Sequence, residues 1–154
     1  MKAEAYITIN WNGPYSRGEA AVAIVLKAEN DPNNYLKLFG FSHLSHQHAE
    51  ALAALRTISI VKPGTDLTIT VEYPYTAMMM KKENHNINAH KELWTQFYEK
   101  ADHINLTVIR DMNHRFKLSS IRATEKGGYR MEEMEDTYGR TEEEKNEDKE
   151  RAIP

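Results

Sequence analysis

The feature that most constrains the fold is a change of hydrophobic period near the middle of the first half of the chain. Before this point, residues 3–10 place Ala and Ile at every second position, and residues 35–41 alternate between two faces. Residues 20–26 (AAVAIVL) form a short apolar run rich in β-branched side chains. Clusters of Asn, Gly, Asp and Pro separate these segments. Three successive strands joined by short turns predict an antiparallel meander.

From Ser45 onward the apolar spacing becomes helical. Ser45 is the predicted N-cap, apolar residues follow at helical spacing to Ile58, and Pro63-Gly64 ends the helix. The remaining pattern predicts a strand over 67–72, helix in two pieces over 76–102, a strand over 104–109 and a short helix over 117–123. A right-handed crossover places the fourth strand parallel to the first. The order β-β-β-α-β-α-β-α therefore predicts an α/β fold, with helices packed on a mixed five-stranded sheet.

Charge is distributed unevenly along the 154 residues. Residues 1–124 hold 14 Lys and Arg against 12 Asp and Glu, a net charge of +2. Residues 125–154 hold 6 against 11, a net charge of −5, and contain no Val, Leu, Phe or Trp. A segment of this composition does not bury a core. We therefore predict one domain over 1–124 and an acidic tail over 125–154, either disordered or extended.

The composition also excludes several classes of protein. There is no Cys, which rules out disulfides, thiolate zinc sites and a Cys nucleophile. The apolar runs are far shorter than the roughly 18 residues of a membrane helix, so no membrane partner is expected. The first ten residues, MKAEAYITIN, lack the apolar region of a secretion signal. We therefore expect a cytoplasmic location.

Several local motifs, in this order of elements, resemble the ribonuclease H family. Residues 45–55 resemble the family's first helix, in which an acidic residue projects into the active site. In TITVEYPY, Glu72 stands where the family has an Asp after a strand, and Tyr75 matches a later Tyr. The first strand ends at Asn10, where the family has another Asp. Residues 104–114 resemble the final strand and its His-bearing loop.

The resemblance implies a chemistry and a set of site residues. Family members cleave the RNA strand of an RNA–DNA hybrid with two Mg²⁺ ions held by four carboxylates, and Mn²⁺ can replace Mg²⁺. Carried over by position, the four become Asn10, Glu50, Glu72 and Ser119, so two are not acidic. Asp111 is an alternative fourth acid, which the sequence leaves open. His114 lies near the family's loop histidine, which assists product release or proton transfer.

Three functional interpretations follow. The leading one is a ribonuclease H-like protein with a degenerate site that binds a protein partner or nucleic acid, either an RNA–DNA hybrid or structured RNA or DNA. The first alternative is an active metal-dependent ribonuclease H. The second is a regulatory module that binds proteins through its acidic tail. The side chains expected to contact nucleic acid are Trp11, Asn12, Tyr15, Lys81 and Lys82.

Three histidines lie just before or within the predicted first helix. Their close spacing suggests a metal site formed by His43, His46 and His48. Zinc sites usually add a ligand from a distant part of the chain, and no motif in the sequence indicates such a ligand. We expect these side chains to face solvent or the edge of a substrate.

Overall fold

The protein forms one sheet with helices on both faces. The computed structural model describes residues 1–81, 87, 89–127 and 134–136, with 127 and 134–136 described by their backbone alone. The strands are β1 (Lys2–Asn12), β2 (Gly18–Ala28), β3 (Asn34–Leu44), β4 (Asp66–Val71), β5 (Asn105–Arg110) and β6 (Met134–Asp136). The helices are α1 (His46–Ser59), α2 (Pro74–Met80), α3 (Lys91–Ala101) and α4 (Lys117–Gly127).

The strand order confirms the predicted mixed sheet. The six strands lie in the order β5-β4-β1-β2-β3-β6. The meander β1-β2-β3 is antiparallel, whereas β1 pairs with β4, and β4 with β5, in parallel. The five predicted strands are present, and the fourth is parallel to the first as expected. The short β6 adds an antiparallel sixth strand at the outer edge of β3.

Side chains along β1 alternate between the two faces of the sheet, and each face carries its own part of the hydrophobic core. Ile7 and Ile9 are buried on the face covered by α1 and α3, with the rings of Trp94 and Phe97. Tyr6 is buried on the other face, in a smaller cluster to which α4 and the segment before it contribute. Because side chains alternate along a strand, the polar residues of β1 on the second face lie under α4.

Local signals explain the helix boundaries next to the site. Ser45 caps α1 as predicted, and its hydroxyl oxygen accepts a hydrogen bond from the backbone N–H of His48 at 3.0 Å. Pro74 begins α2, where its fixed φ suits the first turn of a helix. His90 precedes α3 in the left-handed conformation, with φ of 55°. The predicted division of the region 76–102 into two helices is therefore confirmed.

Part of the segment predicted as a tail adjoins the domain. Helix α4 continues past residue 124 to Gly127, and β6 pairs with β3 from within this segment. Residues 128–133 and 137–154 lie outside the described residues, so the predicted boundary stays a prediction. No helix in the described part of the chain is long and apolar enough to cross a membrane.

Two methionines of α2 allow a matched test of which side of this helix packs against the core. Met80 is 2% exposed and Met78 is 62% exposed. We expect Met80→Ala to lower the free energy of unfolding by about 2–5 kcal/mol, because it leaves a cavity in the core. Met78→Ala should change it by no more than about 0.5 kcal/mol. Urea denaturation followed by circular dichroism measures both, and equal losses would contradict the orientation of α2.

Candidate functional site

The residues predicted for the site gather where β1 and β4 end and α1 begins. They form two groups, each named here by its helix. The α1 cluster consists of Glu50 with its partners His46 and Thr76, surrounded by aromatic rings. The α4 cluster consists of Thr8, Asn10, Glu72, His114, Lys117 and Thr124.

The centre of the α1 cluster is a buried carboxylate whose two oxygens each accept a hydrogen bond. Glu50 is 2% exposed. Its Oε1 accepts a short hydrogen bond from the hydroxyl of Thr76, and its Oε2 lies 2.9 Å from Nδ1 of His46. Because a carboxylate accepts hydrogen bonds, Nδ1 is the donor, and this bond assigns the tautomer of the neutral imidazole. The lone pair of the neutral ring is then at Nε2.

Three aromatic rings enclose His46, which is 3% exposed. Their centroids lie 4.8 Å (Trp11), 4.4 Å (Tyr15) and 4.4 Å (Tyr73) from the centroid of the imidazole. Nε2 of His46 is fully buried and has no hydrogen-bond partner among the described residues. This atom is a conspicuous exception, because buried polar atoms are nearly always paired.

A cavity of about 650 Å³ opens beside the α1 cluster. Its walls include the side chains of Tyr15, His46, Glu50, Tyr73 and Tyr75. Tyr15 is 65% exposed, although its ring lies against the imidazole. The α1 cluster therefore offers a concave, largely aromatic surface next to a buried imidazole and carboxylate.

Tyr73 connects the two clusters. Its hydroxyl donates to the backbone oxygen of Ile9 at 3.3 Å. Burial, and after it the negative charge of Glu72, raises the pKa of Tyr73 to about 12. The phenol therefore keeps its proton at neutral pH and remains a hydrogen-bond donor to β1.

In the α4 cluster, Glu72 is buried beside two basic side chains. Its Oε2 lies 3.4 Å from Nε2 of His114 and 3.9 Å from Nζ of Lys117. Nδ1 of His114 accepts a hydrogen bond from the backbone N–H of Phe116, so the proton of the neutral ring is on Nε2, 3.0 Å from the hydroxyl oxygen of Thr8. His114, predicted as a loop histidine near the site, is thus 5% exposed and held in place beside Glu72.

The other positions that the sequence suggested as metal ligands have different partners. The amide of Asn10 donates to the hydroxyl oxygen of Thr124 at 3.2 Å. The hydroxyl of Ser119 donates to the backbone oxygen of Phe116 at 3.1 Å. Oδ1 of Asp111 accepts from the backbone N–H of Asn113 in an exposed turn. The role of Thr124 was not predicted, although Ser120 and Thr124, one helical turn apart, share the buried face of α4.

The side chains predicted to contact nucleic acid are not gathered at one place in the structure. Trp11 and Tyr15 border the α1 cluster, and Nε1 of Trp11 donates to the backbone oxygen of Gly13. Asn12 lines a separate cavity of about 310 Å³ at the β1–β2 turn. Lys81 is exposed just past the end of α2, about 10 Å along the helix axis from Pro74. Lys82 lies outside the described residues.

The three histidines near the start of α1 have different surroundings. All three were expected to face solvent or the edge of a substrate, but His46 is buried because aromatic rings enclose it. His43 lines the same cavity as Asn12, and His46 belongs to the α1 cluster. The ring of His48 stacks on that of His90, with centroids 4.6 Å apart. Burial, followed by the neighbouring His48, lowers the pKa of His90. No motif in the sequence indicates this pair, because His48 lies within α1 and His90 lies 42 positions later, just before α3.

Comparison with known proteins identifies the architecture. No protein-family model matches the sequence, and neither does any curated protein. Among solved structures, LC9-RNase H1, a type 1 RNase H with the type 2 active-site motif, has a TM-score of 0.62 at 8% identity, over 89% of this chain and 78% of its own. LC11-RNase H1 in complex with an RNA/DNA hybrid has a TM-score of 0.57 at 12% identity, over 80% of this chain and 97% of its own.

RNase H1 from the halophilic archaeon Halobacterium salinarum NRC-1 is a third match, with a TM-score of 0.54 at 12% identity. It covers 71% of this chain and 86% of its own. The chain has the ribonuclease H fold. At these identities the likeness establishes the fold, and the chemistry has to be argued from this chain's own side chains.

In this ribonuclease H fold, the side chains do not fit a pair of Mg²⁺ ions. Such ions need several hard oxygen ligands that converge with free lone pairs. Each oxygen of Glu50 accepts an internal hydrogen bond. Oε2 of Glu72 is buried without a hydrogen-bond partner among the described residues, and the basic side chains of His114 and Lys117 face it. Within residues 1–81, 87, 89–127 and 134–136, no group of three or more His, Asp or Glu is placed to hold a metal ion.

The pKa of Tyr73 makes a prediction about alkaline stability. In the unfolded chain this phenol loses its proton near pH 10, whereas in the folded protein it keeps it to about 12. Its contribution to stability is therefore complete below pH 10 and is lost as the pH rises from 10 to 12. We expect the free energy of unfolding to fall more between pH 9 and pH 11 in the original protein than in Tyr73→Phe.

Urea denaturation at the two pH values measures the difference. The variant keeps the aromatic ring beside His46 and removes only the ionisable hydroxyl, so it is its own control for packing. Parallel losses in the two proteins would show that the phenol is not shielded as described.

Proposed function

We propose that this protein binds nucleic acid, as an RNA–DNA hybrid or as structured RNA or DNA, without hydrolysing it. The observation that carries the proposal is the double hydrogen bonding of Glu50 by His46 and Thr76. Each oxygen of this carboxylate already accepts a hydrogen bond, which reduces the number of lone pairs open to a metal ion. A binding role agrees with this arrangement better than two-metal hydrolysis does.

The energetics of Glu50 support the absence of a metal-dependent step. The hydrogen bonds from His46 and Thr76 use one lone pair on each oxygen of Glu50, which leaves fewer acceptor sites for a cation. A cation that displaced either donor would leave it buried and unsatisfied, at a cost of about 1–3 kcal/mol. The α4 cluster supports the same conclusion, because Lys117 supplies positive charge 3.9 Å from Glu72 without a metal.

The surface next to the α1 cluster supports binding. The cavity has aromatic walls, and the ring of Tyr15 is largely exposed at its edge. Aromatic side chains stack on bases of any sequence. A protein with the same fold, LC11-RNase H1, has been solved with an RNA/DNA hybrid. Since residues 1–124 have a net charge of only +2, phosphate contacts alone give modest affinity, and stacking has to contribute.

Binding and cleavage can be measured on the same labelled RNA–DNA hybrid. Fluorescence anisotropy gives the affinity, and a denaturing gel of the same samples shows whether the RNA strand is intact. We expect binding in EDTA to be within about twofold of binding in Mg²⁺ or Mn²⁺, because no ligand contact depends on a metal. We expect the RNA strand to remain intact in all three conditions.

Two variants sharpen this test. Cleavage by the original protein that disappears in Glu50→Gln would overturn the proposal in favour of an active ribonuclease. The variant Asn10→Asp restores one acid of the family pattern, and we expect it to leave the RNA intact because Glu50 and Glu72 keep their internal partners. Cleavage by Asn10→Asp would show that the amide at position 10 alone prevents hydrolysis. Failure to bind any hybrid, RNA or DNA would also refute the proposal.

A further inference from the structure

We infer that the cavity beside α1 is a pocket for a single unpaired nucleobase, which stacks on Tyr15 and donates an N–H hydrogen bond to Nε2 of His46. This inference rests on the proposed function and specifies which part of the nucleic acid the site recognises. It assigns the pocket to a base at a strand end or a bulge, and not to the paired part of a duplex.

The shape and walls of the cavity favour a flat ring. Its volume of about 650 Å³ falls within the range of small-molecule pockets. Three tyrosines, Tyr15, Tyr73 and Tyr75, are among the residues that line it. Aromatic walls stabilise a planar heterocycle by stacking, and each stacked base typically contributes about 5- to 100-fold in affinity.

The unpaired atom of His46 specifies the polar contact. Its Nδ1–H is committed to Glu50, so the neutral ring offers an acceptor at Nε2. That acceptor is buried and has no partner among the described residues. Every base carries an N–H or NH₂ group on its Watson–Crick edge, and pairing occupies this edge in a duplex. An unpaired base is therefore a suitable donor for Nε2.

Tyr15 explains how a base reaches a buried atom. Its ring lies 4.4 Å from the imidazole, tilted by 34°, and 65% of the residue is exposed. Exposed side chains change rotamer on a fast timescale, and we assign to this ring an outward turn that admits the base. The ring can then stack on the incoming base in place of the imidazole.

The charges of the cavity favour a base over a phosphate. No Lys or Arg is among the described residues that line it, and the carboxylate of Glu50 forms part of its wall. A phosphate at this position would meet a buried negative charge. An uncharged heterocycle meets no such repulsion, and it satisfies the acceptor on His46.

The first experiment compares four ligands with the full-length protein in EDTA by fluorescence anisotropy. They are a blunt RNA–DNA hybrid, the same hybrid with a one-nucleotide uridine overhang, one with an abasic overhang, and one with an N3-methyluridine overhang. We expect the uridine overhang to bind about 5- to 100-fold more tightly than the blunt hybrid. The abasic overhang should bind like the blunt hybrid. N3-Methyluridine lacks the N–H donor and should bind about two- to tenfold more weakly than uridine.

The second experiment removes the stacking ring. Tyr15→Ala should abolish the preference for the uridine overhang over the blunt hybrid, whatever its effect on the affinity for both. Tyr15→Phe should retain the preference, since the ring remains. Tyr35→Ala removes a tyrosine from β3, distant in sequence from the pocket, and serves as the matched control that keeps the preference.

The outcomes separate this inference from the proposed function. Equal binding of the blunt, uridine and abasic ligands would overturn the base pocket while leaving nucleic-acid binding intact. A preference that survives in Tyr15→Ala, or that N3-methylation leaves unchanged, would overturn the assigned contacts. Absence of binding to every ligand would overturn the proposed function and the pocket together.

Discussion

The parallel pairing of β1 with β4 determines how the site is built. The register runs from Lys2 opposite Asp66 to Tyr6 opposite Thr70, a constant difference of 64 positions. Continued past the end of β4, it brings Thr8 level with Glu72 and Ile9 level with Tyr73. The hydrogen bonds agree with this, because Thr8 and Glu72 both approach His114, and the hydroxyl of Tyr73 donates to Ile9.

Because successive side chains alternate between faces, this register separates the two clusters. Glu72 turns toward α4, and Tyr73 turns toward α1, where its ring contacts His46. The residue of β1 beside Glu72 is Thr8, and Asn10 lies two positions further along, against Thr124. Each buried carboxylate therefore has partners from a different part of the chain.

The sequence predicted what depends on local periodicity. The strand alternation and the Ser45 cap are local, and the structure confirms them. Strand register and side-chain pairing across the fold are not local: Thr124 lies 114 residues from Asn10, and Thr76 lies 26 residues from Glu50. The His46–Glu50 pair was not predicted either, although its i,i+4 spacing within a helix is local and visible in the sequence.

The placement of charge indicates which contacts would give the proposed nucleic-acid binding its specificity. Glu50 accepts hydrogen bonds from His46 and Thr76, whereas Glu72 has the positive charge of Lys117 beside it at 3.9 Å. The net charge of −3 for the whole chain says little about the site, because residues 1–124 carry +2 and the acidic excess lies in 125–154. A nearly neutral domain releases few counterions when it contacts phosphates, which gives a shallow dependence of affinity on salt. Under the proposed binding, discrimination among ligands would then come from the aromatic rings around His46, because stacking depends less on ionic strength than phosphate contacts do.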